Sequence, residues 1–205
     1  MIAIIDYGVG NLFSLKSSFG YIGTDAVVTS DKSVIENAEK IILPGVGAFG
    51  DAADKLRDSG LGEIVINEVK KGKLLLGICL GMQLLLEKSY EFGEHDGLGL
   101  IKGDVLPISD VIPKDFKIPH IGWNRLRQKG EKSRIYRYIN DGDFVYFVHS
   151  YYGANCDKFV SATTEYGAEL TASVEKDNVF GCQFHPEKSG TVGLNILKAF
   201  CEIRS

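Results

Sequence analysis

The chain has 205 residues, 44% of them hydrophobic and 24% charged, and a net charge of −4 at neutral pH. These values predict one folded domain over residues 1–205, argue against disorder, and provide no overall basic field for nucleic acid or an anionic membrane. Four cysteines, Cys79, Cys156, Cys182 and Cys201, show neither Cys-x-x-Cys nor zinc-ligand spacing, so free thiols in a reducing cytoplasm are expected and no metal is implied.

Residues 2–5 read as a first buried strand, without the basic start and longer apolar run of a secretory leader. Residues 6–11, Asp-Tyr-Gly-Val-Gly-Asn, form the loop into a helix over residues 12–19. Gly8 and Gly10 open a dinucleotide fingerprint, but its third glycine position is Phe13, so neither a nicotinamide nor a flavin cofactor is implied. A second strand at 26–29, a short polar helix or turn at 31–37 and a third strand at 40–43 follow, the last ending at Pro44-Gly45-Val46-Gly47. No phosphate-cradling P-loop is present. Two helical segments fill residues 50–71, the second with Leu61, Ile64, Val65 and Val69 near a 3.6 period.

Residues 74–78 run apolar, as a strand buried on both faces does, and turn at Gly77-Ile78-Cys79-Leu80-Gly81 into an apolar helical segment. The whole uncharged stretch, 74–86, falls short of the ~20 residues a membrane span needs. Residues 87–97 are polar, with His95 expected as a solvated loop histidine. From 98 to 166 helical patterning fades, and β-like runs at 98–106, 144–151 and 159–164 predict a strand-rich elaboration on a doubly wound core. Residues 129–137 read as a solvated basic hairpin or loop. Trp123 is the single tryptophan, a type usually found in the core. His149 closes an apolar run with no proline and carboxylate after it, so it is assigned to strand-end structure. A strand pair at 169–175 and 179–185 and a helix at 191–203 complete the chain.

The chemistry centres on Cys79. Gly-x-Cys-x-Gly is the nucleophile elbow with sulfur in place of oxygen, and a sulfur at a helix N-terminus faces unpaired N–H groups that favour thiolate. The competing account is a small buried core residue. Downstream, Gly181-Cys182-Gln183-Phe184-His185-Pro186-Glu187 reads as a strand whose alternation puts His185 and Glu187 on one face, so that Glu187 orients the imidazole. Cysteine, histidine and glutamate then supply nucleophile, base and orienter. An elbow nucleophile also needs two oxyanion donors. One is the Leu80 N–H, and the Gly45-Val46-Gly47 turn, with Gly47 free to present or flip its peptide, is the candidate for the other. Gln83, one helical turn past Cys79, is placed for the substrate's polar end.

With Gly-x-Cys-x-Gly-x-Gln and a later His-Pro-Glu, the chain resembles the class I, triad-type glutamine amidotransferases. The stretches 6–12, 44–49, 77–85, 119–124, 147–151 and 184–190 resemble, more specifically, glutaminase subunits of imidazole glycerol phosphate synthases of histidine biosynthesis. The resemblance implies an α/β three-layer sandwich with a mostly parallel, flavodoxin-like sheet and a strand-rich insertion. It implies hydrolysis of L-glutamine without a cofactor, with glutamine held by backbone around Ser150 and Tyr151. It also implies a heterodimer with a (β/α)8-barrel cyclase subunit that receives the ammonia, and puts Asn11, Trp123 and Lys188 near that partner. Three alternatives stay open: a glutaminase feeding another synthase, such as one amidating a surface sugar; a cysteine hydrolase of the same fold without glutamine specificity; and a non-catalytic binding subunit.

Overall fold

The structure is a computed structural model and describes residues 1–204. The first half alternates strand and helix: β1 (Ile2–Ile5), α1 (Leu12–Tyr21), β2 (Ala26–Thr29), α2 (Lys32–Asn37), β3 (Lys40–Leu43), α3 (Phe49–Asp58), α4 (Leu61–Lys70), β4 (Leu74–Ile78) and α5 (Leu80–Leu84). Short strands then dominate, with β5 (Lys88–Ser89), β6 (His95–Asp96), β7 (Asp104–Pro107), β8 (His120–Arg125), β9 (Arg127–Gln128), β10 (Phe144–His149), β11 (Tyr151–Ala154) and β12 (Val160–Glu165). The chain closes with β13 (Glu169–Lys176), β14 (Val179–Cys182) and α6 (Gly190–Glu202).

Eight strands make the central sheet in the order β2-β1-β3-β4-β14-β13-β12-β9. Every pairing from β2 to β14 is parallel, and those from β14 to β9 are antiparallel. Period-two alternation splits each parallel strand between two cores. Ile2 and Ile4 of β1 face α1 and α6 with Leu15, Phe19, Leu197 and Phe200. Ala3 and Ile5 face the opposite layer, where Ile35, Leu56 and Val65 pack from α2, α3 and α4. Covering both faces is why β1, β3 and β4 are buried from end to end, each full-sized aliphatic side chain contributing ~1.5–3 kcal/mol.

Lys40 is the polar exception at the start of β3. Its Nζ donates to the Phe200 carbonyl at 3.1 Å and to that of Cys201, placing a cation at the C-terminal end of α6.

The strand-rich elaboration forms two small sheets, β10-β8 and β11-β7-β5-β6. The expected strand at 98–106 forms only from Asp104. The apolar run 144–151 divides at Ser150 between both sheets. The basic stretch 129–137 is not simply a solvated loop, since Ile135 and Tyr136 are fully buried in a single 3-10 turn. His95 is not a solvated loop residue either: it lies half-buried on β6, its ring tilted against Phe49 with centroids 6.5 Å apart. No helix among the described residues is long and apolar enough to cross a membrane.

Candidate active site

Three parallel strands, β3, β4 and β14, end side by side, and the crevice beyond their carboxyl ends gathers the candidate residues. At the end of β4, Cys79 has φ 55 and ψ −112, a strained backbone for a residue with a Cβ. Its N–H donates to the Cys182 carbonyl of β14 at 2.7 Å, which helps hold the conformation. The flanking glycines are required by contact: a Cβ on Gly77 would stand 2.6 Å from the Gly81 carbonyl oxygen, and one on Gly81 only 1.8 Å from that of Leu43. The helix after the elbow is shorter than the apolar pattern suggests, five residues in all. Leu80 is its first residue, so its N–H has no intrahelical partner.

His185 reaches the same crevice from β14, but by a different route from the expected one. The strand stops at Cys182, and Pro186–Lys188 form a turn of 3-10 helix that swings Glu187 back under the ring. Glu187 Oε1 lies 2.8 Å from His185 Nδ1, with both side chains almost wholly buried. The tight turn, not strand alternation, makes the pair, because Pro186 sets the φ that starts it. The His185 N–H donates to the Tyr146 carbonyl at 3.0 Å, and Ser189 Oγ donates to the His185 carbonyl at 2.6 Å. Burial works against a charged imidazole here, but hydrogen bonding and charge from Cys79 and Glu187 outweigh it and carry His185 up to about 10. The Cys79 sulfur also lies 3.8 Å from Gln183 Nε2 and 4.0 Å from the Val148 carbonyl.

A cavity of about 380 Å³ opens onto Cys79 and His185, a size suited to a small metabolite. Val46, Gly47 and Leu80 line one side, and Ser150 and Tyr151 another. Gly45 lies just behind, where a Cβ would stand 2.9 Å from the Gly81 nitrogen. Gln83 also lines the cavity. Its amide nitrogen, however, is committed to the Tyr151 carbonyl and to Gln183 Oε1, both at 3.0 Å, so it braces the wall and is not a free donor.

Four lining residues, Glu91, Pro119, Val148 and His149, carry no site signal in the sequence, and two of them bring chemistry. Glu91 comes from a polar stretch with no local pattern, and its Oε2 accepts the Phe49 N–H at 2.6 Å. His149 reads from the sequence as strand-end structure. It does close β10, and it also lines the cavity with both ring nitrogens engaged and no carboxylate behind it.

The family model described as "Glutamine amidotransferase class-I" matches residues 3–203. The chain belongs to that family. Among curated amidotransferase relatives, it is 53% identical to "Imidazole glycerol phosphate synthase subunit HisH" of Caldanaerobacter subterraneus subsp. tengcongensis, over 99% of this chain and 98% of the relative. The subunit of the same name from Wolinella succinogenes is 46% identical over 99% of this chain and 100% of its own length. The one from Geobacter sulfurreducens is 48% identical over 99% of each. The chain is thus a member of the HisH group. Solved structures share the fold at lower identity. One described as a glutamine amidotransferase superposes with TM-score 0.76 at 20% identity, covering 98% of both chains. PurLQS from Thermotoga maritima gives 0.70 at 23%, covering 98% of this chain and 96% of that one.

In this amidotransferase, of the three residues that the resemblance puts near a partner, Lys188 lines the cavity, Trp123 shares Tyr146 with it, and Asn11 leads into a helix packed beside the 186–188 turn. Trp123 is 51% exposed, so it is no core tryptophan, and its ring meets Tyr146 edge-on at 6.1 Å. Lys188 is exposed, lines the cavity and holds its Nζ 6.0 Å over the same Tyr146 ring; it makes no ion pair with Glu187. Asn11 precedes α1, which packs beside the 186–188 turn, and its side chain makes no capping bond.

Proposed function

We propose that this chain is one glutamine amidotransferase domain that hydrolyses L-glutamine to glutamate and ammonia, as the glutaminase subunit of an imidazole glycerol phosphate synthase. The supporting observation is the strained Cys79 elbow sharing a small cavity with His185, whose ring is backed by Glu187 at 2.8 Å.

The Cys79 thiolate attacks the side-chain amide carbon of glutamine, and the electron pair of the carbonyl moves onto oxygen. The Leu80 N–H and the Val46–Gly47 peptide donate to that oxyanion. Because Glu187 accepts from Nδ1, His185 keeps its Nε2 proton for the cavity and gives it to the departing nitrogen. Ammonia leaves and a thioester remains. Water then enters, His185 takes its proton, and collapse of the second oxyanion frees glutamate and restores the thiolate. Glu91 presents an acceptor to the substrate's α-ammonium group, and Ser150 and Tyr151 supply backbone to hold its carboxylate end. The cycle as written uses no metal and no cofactor.

Ammonia released into water is protonated and lost as a nucleophile, so a consumer must dock over the cavity mouth. The proposed partner is a (β/α)8-barrel cyclase subunit that would channel ammonia into imidazole glycerol phosphate and aminoimidazole carboxamide ribonucleotide. Its docking face would include Asn11, Trp123 and Lys188, with Ile118 and Ile121, 47% and 57% exposed, adding apolar area. Four free cysteines suit the reducing cytoplasm in which such a lyase complex would work.

The test follows glutamate release from glutamine with and without a candidate barrel cyclase and its ligand. Cys79→Ala should lower the rate by on the order of 10⁴-fold or more while leaving cyclase binding intact. Glutamate release persisting in that variant would refute the assignment.

A further inference from the structure

Beside the site, the fold buries two more histidines against each other. His120 opens β8 and His149 closes β10, and antiparallel pairing sets them directly opposite. His120 Nδ1 lies 3.0 Å from His149 Nε2. The outer nitrogens are engaged too: His120 Nε2 lies 3.0 Å from the Asn124 amide, and His149 Nδ1 2.9 Å from the Tyr151 carbonyl. His120 is stacked between Tyr166 and Phe147, with centroids 4.0 and 5.0 Å away.

These contacts permit a count of protons. Three hydrogen bonds need three hydrogens, and two neutral imidazoles bring two. A third hydrogen on the rings would make the pair a buried cation. Burial, the largest influence, holds His149 down to about 3, with His120 and His185 opposing its charge further, and burial also lowers His120. The third hydrogen therefore comes from Asn124. The two ends of its amide are interchangeable in outline, and turned over it donates Nδ2–H to His120 Nε2. The turn would leave Oδ1 facing the Glu165 carbonyl across the 2.8 Å that Nδ2 now spans, so the side chain swings off that exposed carbonyl, which then accepts from water.

The chain of donors then has one direction: Asn124 to His120, His120 Nδ1–H to His149 Nε2, His149 Nδ1–H to the Tyr151 carbonyl. That carbonyl also accepts from Gln83, so it receives a second donor. We propose that the His120–His149 pair is a one-way donor relay that fixes the Tyr151 carbonyl, and with it the Ser150–Tyr151 wall of the cavity, making His149 a positioning residue for glutamine. The ligand in this proposal rests on the glutaminase assignment; the proton arrangement does not.

Two measurements test it. Long-range proton–nitrogen correlation on ¹⁵N-histidine protein at neutral pH reads the tautomers directly, and four histidines are few enough to assign by single replacement. Both His120 and His149 should carry hydrogen on Nδ1 and none on Nε2; either ring in the opposite tautomer, or doubly protonated, overturns the relay. Steady-state kinetics in the complex with the cyclase supply the second arm. His149→Leu removes the donor and should raise KM for glutamine about tenfold with a smaller change in kcat. His149→Asn, whose amide nitrogen sits where Nδ1 does, should recover most of that loss. Equal KM in all three proteins, or no recovery by asparagine, overturns the positioning role. A wild-type protein inert toward glutamine with both tautomers as expected would instead defeat the glutaminase assignment and leave the relay standing.

Discussion

The ends of β3 and β4 lie next to each other and are built in opposite ways. At β4 the backbone is locked, with Cys79 strained and Gly81 pressed against the Leu43 carbonyl. At β3 the lock extends only through residue 45: Tyr7 donates to the Pro44 carbonyl at 2.7 Å, and Gly45 abuts Gly81. Beyond it Val46 is 40% exposed, and Gly47, at φ 97, has nothing within 4 Å of where a Cβ would stand. The proposed nucleophile is thus placed by packing, whereas the proposed oxyanion donor beside it retains room to turn. Rigid and adjustable halves of one site come from two ends of the same sheet.

The sharpest way to break that contrast is Gly81→Ala. A methyl group cannot sit 1.8 Å from a carbonyl oxygen, so strands β3 and β4 must part at a cost of ~3–5 kcal/mol. Thermal unfolding should show a midpoint about 10 °C lower. A midpoint within a couple of degrees of wild type would mean the close approach is not what shapes the elbow.

The charge of the proposed triad gives a test by pH. His185 is raised to about 10, so it holds its proton through neutrality and loses it on the alkaline side. Its contribution to stability is complete below the ordinary histidine value near 6.5 and is lost as pH rises through about 10. The profile of kcat/KM should be level around neutral pH and descend toward pH 10. In Glu187→Gln, with one of the raising partners gone, the descent should move to lower pH and the rate should fall by about 10²-fold or more. An unmoved descent would assign the proton to another group.

Gly47→Ala probes the adjustable end. Its positive φ costs an alanine about 1–2 kcal/mol, a modest change in unfolding. Its glutaminase kcat with the cyclase should fall by tenfold or more with little change in KM, because the donor acts on the oxyanion and not on bound glutamine. A fall in KM-dependent binding alone would move the donor elsewhere. The smallest structural effect is expected at Trp123→Ala, outside both strand ends. Half exposed, it should alter unfolding by no more than about 0.5 kcal/mol and leave basal glutamine KM unchanged, while titration with the cyclase shows weaker binding.

From the sequence alone, the strands at 2–5, 26–29, 40–43 and 74–78, the flanking helices and the cysteine elbow were all legible. Each rests on local physics, either an apolar period or the steric demand of Gly-x-Cys-x-Gly, and burial on both sheet faces reinforces it. The meeting of Cys79 with His185, more than a hundred residues later, was inferred from motif pairing, but it is the β4–β14 adjacency that produces it. The tertiary structure also decided what local pattern got wrong or left open. Glu187 reaches His185 through a turn after Pro186, Trp123 faces outward, and Gln83 is spent on bracing the wall. The opposition of His120 and His149 depends on the register of two strands separated by a long irregular stretch. Period and propensity act over a few residues, whereas sheet order and strand register depend on every element that packs around them, and it is at those long-range junctions that this site was completed.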